Sequence, residues 1–271
     1  MICFPNAKIN IGLNIVEKRT DGFHNIETIF YPIPLYDALE IIPAEKSTFT
    51  ISGIDIPDVI ENNLVMKAYQ MIKADFDLPE LSIYLHKNIP LGAGLGGGSS
   101  DAAYMIKLLN DSFSLLLTDE QMENYASRLG SDCSFFIRNQ PAFATQRGEI
   151  LQPIGLSLDS YLLAIIKPPV HISTRDAYRI ISPKAPEKSI NQLVNSPIEA
   201  WKDTIQNDFE TVIFPTFPLL KDIKALLYQQ GAIYAAMSGS GSALYGIFPA
   251  NVIPKITIDE CFVWIHSMDS E

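Results

Sequence analysis

Pro90-Leu91-Gly92-Ala93-Gly94-Leu95-Gly96-Gly97-Gly98-Ser99-Ser100-Asp101-Ala102-Ala103 is the stretch on which the reading of this chain turns. Five of the seven residues from Gly92 to Gly98 are glycine. Such a run loses much backbone entropy on folding and packs no side chain in return. It marks a place where the chain must take positive φ or come very close to something. After it, Ala102, Ala103, Met105, Ile106, Leu108 and Leu109 give the broad apolar face of a helix, with Ser99 or Ser100 as the expected N-cap. Before it, Leu81 to Leu85 alternates as a strand does. Strand, glycine loop and helix N-terminus aim several free N–H groups and a positive dipole end at one point. That is an anion site, and phosphate is its usual occupant.

Better-known phosphate loops do not fit. No lysine stands before Ser99, so this is not a Walker A loop. Gly92, Gly94 and Gly97 satisfy G-x-G-x-x-G. The dinucleotide version, however, needs a second parallel strand ending in an acid about 20 residues on, and the next segments read as helices. The V-A-I-K, H-R-D and D-F-G elements of protein kinases are absent. A flexible linker is the plain alternative, but linkers do not run straight into a capped apolar helix.

Working outward, Ala7 to Val16 alternates Ile9, Ile11, Leu13 and Ile15 against Lys8, Asn10, Gly12 and Asn14. This predicts a strand whose polar face is either solvated or the floor of a polar site. A turn around Asp21-Gly22 leads to two further strands, Asn25 to Ile33 and Leu35 to Ile42. Thr118 caps a helix to Leu129, and Asp132 follows a helix-ending Gly130 into apolar surroundings. A carboxylate there is costly unless it is paired or used; the plain reading is a cap or surface turn. Tyr161 to Ile166 is an apolar strand, Pro218 to Gly231 a helix, and Ala235 to Phe248 a strand–glycine turn–strand unit. Ser182 to Pro197 is rich in Pro, Lys, Ser and Asn and reads as a mobile surface segment or lid. Ile256 to Ile265 reads as an edge strand.

At 271 residues the chain has room for one large or two ordinary domains, and 47% hydrophobic content supports a sizeable core. No apolar run approaches the ~20 residues of a membrane span. Met1 to Asn6 lacks the basic start of a signal peptide, and Cys3, Cys133 and Cys261 are odd in number and far apart. Three reduced thiols in a cytoplasmic protein are expected. The net charge of −11 speaks against a nucleic-acid partner. It also means that a triphosphate would be held by backbone N–H groups, a helix end, a few cations and a divalent metal.

The glycine segment resembles the central signature of the small-molecule kinases that include galactokinase, homoserine kinase, mevalonate kinase and phosphomevalonate kinase. Its Gly-Leu-Gly-Gly-Gly-Ser-Ser-Asp-Ala-Ala form most resembles the branch whose acceptor is 4-diphosphocytidyl-2-C-methyl-D-erythritol. Pro5 to Leu13, followed by Arg19-x-Asp21-Gly22-Phe23-His24, resembles the first signature of that branch. There the lysine and asparagine (Lys8 and Asn10) face the substrate, and the aromatic–histidine pair (Phe23 and His24) holds a cytosine ring. Phe23 stands where tyrosine is usual. Gly130 to Phe136 resembles the Gly-Ala-Asp-Val-Pro-Phe-Phe element, whose aspartate, here Asp132, is the catalytic base; Ser134 replaces its proline. Thr174 and Tyr178 match the substrate threonine and the second aromatic that sandwiches the cytosine. The segment around Gly239 resembles the third signature, which packs against the first glycine loop.

The resemblance implies an α+β fold of two domains with the active site in the cleft between them. A ribosomal-protein-like N-terminal domain (1–153) would bind ATP, and a ferredoxin-like C-terminal domain (154–271) would bind substrate. Pro90 to Ser100, that is Pro90, Leu91, Gly92, Ala93, Gly94, Leu95, Gly96, Gly97, Gly98, Ser99 and Ser100, together with Lys87, would hold the nucleotide. Mg²⁺ would bridge phosphate oxygens near Ser99 or Ser100. Lys8 would pair with Asp132 and offset charge on the transferring group. Asp101 beside a triphosphate is repulsive unless it faces the metal or turns away, and both stay open. The implied reaction is ATP-dependent phosphorylation of the acceptor's 2-hydroxyl in the non-mevalonate isoprenoid route, by a monomer or homodimer with no membrane partner. Another kinase of the same superfamily and a non-catalytic nucleotide-binding regulator are the alternatives.

Overall fold

The computed structural model describes residues 1–55 and 62–268. In chain order the first half contains β1 (Ile2–Cys3), β2 (Asn6–Lys18), β3 (His24–Tyr36), β4 (Ala38–Pro43), β5 (Thr48–Gly53), α1 (Leu64–Asp75), β6 (Leu81–Lys87), α2 (Gly97–Phe113), α3 (Asp119–Ser127) and α4 (Phe135–Arg138). The second half contains β7 (Ala142–Gln146), β8 (Ile150–Pro153), β9 (Tyr161–Lys167), α5 (Thr174–Ile180), α6 (Ile190–Leu193), α7 (Trp201–Thr204), α8 (Glu210–Ile213), α9 (Pro218–Gln229), β10 (Tyr234–Met237), β11 (Leu244–Pro249) and β12 (Phe262–Ser267). The chain forms two compact units: Met1–Lys8, Pro32–Leu91 and Gly96–Gln140 in the first, and Ile9–Tyr31, Gly92–Leu95 and Pro141–Glu271 in the second. Each mixes strands and helices, so the fold is α+β as the sequence implied.

The first unit holds a four-stranded sheet in the order β1-β4-β6-β5, in which only the β5–β6 pair is parallel. Alternation in β6 decides its faces: Leu81, Ile83 and Leu85 are buried, while Tyr84 and His86 are exposed. α1 buries Val65, Ala68, Tyr69 and Ile72, and α2 buries Ala102, Ala103, Met105, Ile106 and Leu109. Each large apolar side chain so buried contributes about 1.5–3 kcal/mol. α3 begins at the expected Thr118, whose hydroxyl accepts from the Gln121 N–H while the Gln121 side chain accepts from the Thr118 N–H. That reciprocal cap contributes about 1 kcal/mol.

In the second unit an antiparallel sheet runs β10-β11-β9-β12. β9 is apolar from Leu162 to Ile166, all of them buried, and α9 lays Leu220, Ile223 and Leu227 into the same core. β12 is an edge strand, as expected for the C-terminal stretch, but it runs over Phe262–Ser267, later in the chain than Ile256 to Ile265. A further sheet orders β2-β3-β7-β8.

Two expectations are corrected. α2 begins at Gly97, with Gly96 in the left-handed region (φ 73°) as its N-cap, rather than at Ser99 or Ser100. The segment Ser182 to Pro197, read as mobile from composition, is pinned. Ile190 and Val194, one helical turn apart, are 1% and 7% exposed, and the Lys184 N–H donates to the Ile15 carbonyl at 2.8 Å.

Candidate active site

β2 is buried on both faces, which settles the sequence's open question about its polar side: Lys8 and Asn10 are each 2% exposed. A lysine so buried is costly without an anionic partner. Its Nζ lies 3.3 Å from Oδ2 of Asp132, whose side chain is 34% exposed in the turn between α3 and α4. The lysine stem packs on the glycine loop. A β-carbon on Gly96 would stand 3.1 Å from Lys8 Cγ and 2.9 Å from Phe136 Cζ. The ammonium, the carboxylate and the start of α2 therefore converge within the first unit.

Among the described residues no side chain caps α2. Its first-turn N–H groups, at Gly97, Gly98 and Ser99, carry the positive end of a 17-residue helix. Gly98 is exposed, and a β-carbon there would meet nothing within 4 Å among the described residues. Ser99 is half-buried, and burial pushes the Cys133 thiol up to about 11, so that it behaves as a packing group rather than a nucleophile. Ser100 turns inward at 0% exposure, and its Oγ makes no hydrogen bond among the described residues. Of the two serines, only Ser99 stays on the accessible side. The apolar residues of the loop, Ala93 and Leu95, are buried at 2% and 1%, as is Pro90, while Leu91 is half-buried.

Lys87 requires a correction. Expected near a base or phosphate, its ammonium is instead 0% exposed and bound between the carboxylates of Asp37 and Asp101. The signal was present in the sequence: position 87 has the same parity as the inward-facing Leu81, Ile83 and Leu85. Asp101 has likewise turned away from the accessible side of the loop, at 2% exposure. Burial first, and then repulsion from Asp37, push the Asp101 carboxyl up to about 8, against the pull of Lys87. The folded chain thus holds a proton that the unfolded chain releases, so this group's contribution to stability falls as pH rises from the ordinary carboxylate range to about 8. Melting curves over that range should show Asp101→Asn gaining on the wild type with rising pH and levelling off above it. A pH-independent difference would contradict the assignment.

In the second unit a serine clasps the other part of the loop. Ser238 Oγ donates to the Gly94 carbonyl at 2.8 Å and accepts the Asn10 N–H at 3.1 Å, and the Ala243 N–H donates to the Ala93 carbonyl at 3.1 Å. Gly239 packs beside Gly94, where its own β-carbon would come within 3.4 Å of Gly94 Cα. Asn10 also donates to Thr28 Oγ1 at 3.0 Å. Asn207, which was not among the expected site residues, is 1% exposed and donates to the carbonyls of Met237 (2.7 Å) and Gly239 (2.8 Å). An asparagine ahead of a one-turn helix in an apolar context was its only signal.

The rings of His24 and Tyr178 stack on one another at 5.2 Å and 22°, and Tyr178 meets Phe209 edge-on at 4.9 Å. Burial, with a smaller push from Lys18, lowers the His24 pKa below its ordinary value and favours the neutral imidazole. Phe23 is 54% exposed, with the Arg147 guanidinium 4.8 Å from its ring centroid. Thr174 is exposed and shares a 2.9 Å hydrogen bond with Ser240.

Residues 63–145 match the family model of the GHMP kinases N terminal domain, and residues 190–256 match that of the GHMP kinases C terminal. The chain belongs to the GHMP kinases. This GHMP kinase is 53% identical to the 4-diphosphocytidyl-2-C-methyl-D-erythritol kinase of Bacteroides fragilis, over 97% of each chain. It is 48% identical to the protein of the same name from Porphyromonas gingivalis, over 97% of this chain and 98% of the other. Among solved structures, a 4-(cytidine 5'-diphospho)-2C-methyl-D-erythritol kinase is 31% identical with a TM-score of 0.76, covering 91% of this chain and 90% of the other. A mevalonate kinase at 11% identity shares the fold alone, with a TM-score of 0.71 over the whole of both chains. The N-terminal match includes the glycine loop, the α2 N-terminus and Asp132. As in its family, the chain is an ATP-dependent phosphotransferase. Among the described residues no helix is long and apolar enough to cross a membrane.

Proposed function

We propose that this kinase transfers the γ-phosphoryl group of ATP to the 2-hydroxyl of 4-diphosphocytidyl-2-C-methyl-D-erythritol, a cytoplasmic step of the non-mevalonate isoprenoid route. The observation that carries the reading is the Lys8–Asp132 pair, 3.3 Å apart, beside the uncapped N-terminus of α2. The names of relatives about half identical over nearly the whole chain support the choice of acceptor.

Phosphoryl transfer asks for positioning and charge neutralisation more than covalent chemistry. The amides of Gly97, Gly98 and Ser99, with the α2 dipole, hold the phosphates. Asp132 takes the proton of the attacking hydroxyl. Lys8 offsets charge on the transferring group. Among the described residues no three His, Cys, Asp or Glu side chains cluster to hold a metal. Ser99, which stays on the accessible side of the loop, would help to hold Mg²⁺. Bound there, Mg²⁺ neutralises phosphate charge. The nucleotide is assigned to residues 1–153. The acceptor is assigned to Thr174, Tyr178 and Gly239 of residues 154–271, together with Asn10, Phe23 and His24.

The closed stack of His24 on Tyr178 makes a demand of its own. A flat base between two rings needs about 7 Å, twice a contact distance of about 3.5 Å, so the rings must part from their 5.2 Å separation. Base–aromatic stacking contributes about 1–3 kcal/mol. Tyr178→Ala should therefore raise the KM for the acceptor about tenfold or more while the KM for ATP stays put. Steady-state titration of each substrate reads this, and a rise confined to ATP would remove Tyr178 from the acceptor site.

The test of the whole reading is ADP release from Mg-ATP with the cytidyl alcohol, with galactose, homoserine and mevalonate as controls. Turnover with the cytidyl alcohol alone is the expected result. Turnover with one of the others alone overturns the acceptor assignment, and ATP binding without turnover on any acceptor indicates a regulator.

A further inference from the structure

Asp37, Lys87 and Asp101 form a charge cluster with every side chain 3% exposed or less, and phosphoryl transfer as described makes no use of it. Lys87 Nζ bonds Oδ2 of Asp37 and stands 2.6 Å from Oδ2 of Asp101. The other oxygen of Asp37 accepts the N–H groups of Asn88 (2.6 Å) and Ile89 (2.8 Å). The second oxygen of Asp101 is buried and makes no hydrogen bond among the described residues. Burying three ionisable groups costs several kcal/mol for each charge, and apolar replacements of similar volume often do as well for stability. Stability alone therefore does not account for the cluster.

Its contacts suggest another purpose. The incoming stem of the glycine loop is Lys87, Asn88 and Ile89, and Asp37 grips the backbone of the last two. The outgoing stem is the start of α2, and Asp101 lies on its fifth residue. Lys87 joins the two, and its Nζ also lies 3.3 Å from where a β-carbon on Gly97 would be. Hydrogen bonds between buried polar groups fix distance and direction, which apolar contacts do not. A loop this rich in glycine has the most conformational freedom to lose, so anchoring both ends lowers the entropy cost of holding it in one shape.

We infer that Asp37, Lys87 and Asp101 are positioning residues that set the two stems of the glycine loop and so hold its amides ready for the phosphates. The inference rests on the loop being the ATP site and does not depend on the identity of the acceptor.

The test is the affinity of Mg-ATP, measured by titration calorimetry without acceptor, for wild type, Asp101→Asn and Asp101→Ala, with a melting curve for each. Misplacing a binding group by about 1 Å costs up to about a hundredfold. Asp101→Ala should bind at least about tenfold more weakly by that measure, while Asp101→Asn, which keeps the shape and an acceptor for Lys87, should stay within about threefold of wild type. In turnover the loss should appear in the KM for ATP rather than in kcat. A folded Asp101→Ala protein with wild-type ATP affinity overturns the inference. Should alanine prevent folding, amide exchange in the wild type decides: Mg-ATP should slow exchange at Asn88 and Ile89, and no change there overturns it. A wild type that binds no ATP overturns both this and the site reading. A wild type that binds ATP but ignores the cytidyl alcohol overturns only the acceptor.

Discussion

Replacing Asp132 by asparagine is expected to lower kcat by about 10²–10⁴-fold, the range that a positioned proton acceptor contributes. The amide has the size and shape of the carboxylate but cannot take a proton from the attacking hydroxyl. Asp132 is one-third exposed in a turn, so the substitution disturbs little packing, whereas removing Lys8, at 3% exposure, would. That difference makes Asp132 the cleaner probe of the pair. The KM for ATP and the melting temperature should change little, because the phosphates are assigned to the amides of α2. Single-turnover measurement with both substrates saturating isolates the chemical step. A variant within about threefold of wild type would leave Asp132 as a structural partner of Lys8 and nothing more.

Gly94→Ala is expected to abolish productive ATP binding. A β-carbon on Gly94 would lie 1.9 Å from the carbonyl oxygen of Ser238 and 2.8 Å from its carbonyl carbon. That oxygen cannot yield easily. Ser238 is tied by its hydroxyl to Asn10 and Gly94, and by its N–H to the Ala243 carbonyl at 2.9 Å. The φ of +75° adds about 1–2 kcal/mol for any residue with a β-carbon. Relief of the clash requires the loop to move by about 1 Å, and displacements of that size cost about a hundredfold. Gly98→Ala is the built-in control. Among the described residues nothing lies within 4 Å of its β-carbon, and alanine inside a helix stabilises by about 0.5–1 kcal/mol. It should melt no lower than wild type and still lose ATP affinity, since its β-carbon would stand where the phosphates are assigned. Calorimetric titration of both variants reads the outcome. Normal ATP affinity in Gly94→Ala would remove the first glycine loop from the site, and normal affinity in Gly98→Ala would move the phosphates away from the α2 N-terminus.

Much of this was legible in the chain itself, because the relevant physics is local. Glycine is tolerated at Gly94 and Gly96 where the backbone takes φ of 75° and 73°, and a glycine run leading into an apolar helical face marks an anion-binding loop whatever surrounds it. Thr118 with Gln121, and the alternation of β2 and β6, are set within a few residues. Asp132 stood out because a carboxylate after a helix stop and before Phe135-Phe136 needs a partner.

What the chain by itself determined, then, was which apolar residues had to be buried and where the backbone had to turn. What only the tertiary structure decided was what covered them. Parity put Lys87 on the inward face of its strand, but its solvation depended on Asp37, fifty positions earlier, and Asp101, fourteen later. The ion pair of Lys8 with Asp132, the clasp of Ser238 on Gly94 and the stack of His24 on Tyr178 likewise join distant segments. Periodicity says which way a side chain points; the pairing that decides whether a buried charge or ring is a cost or a tool comes from segments that meet only when the chain is folded.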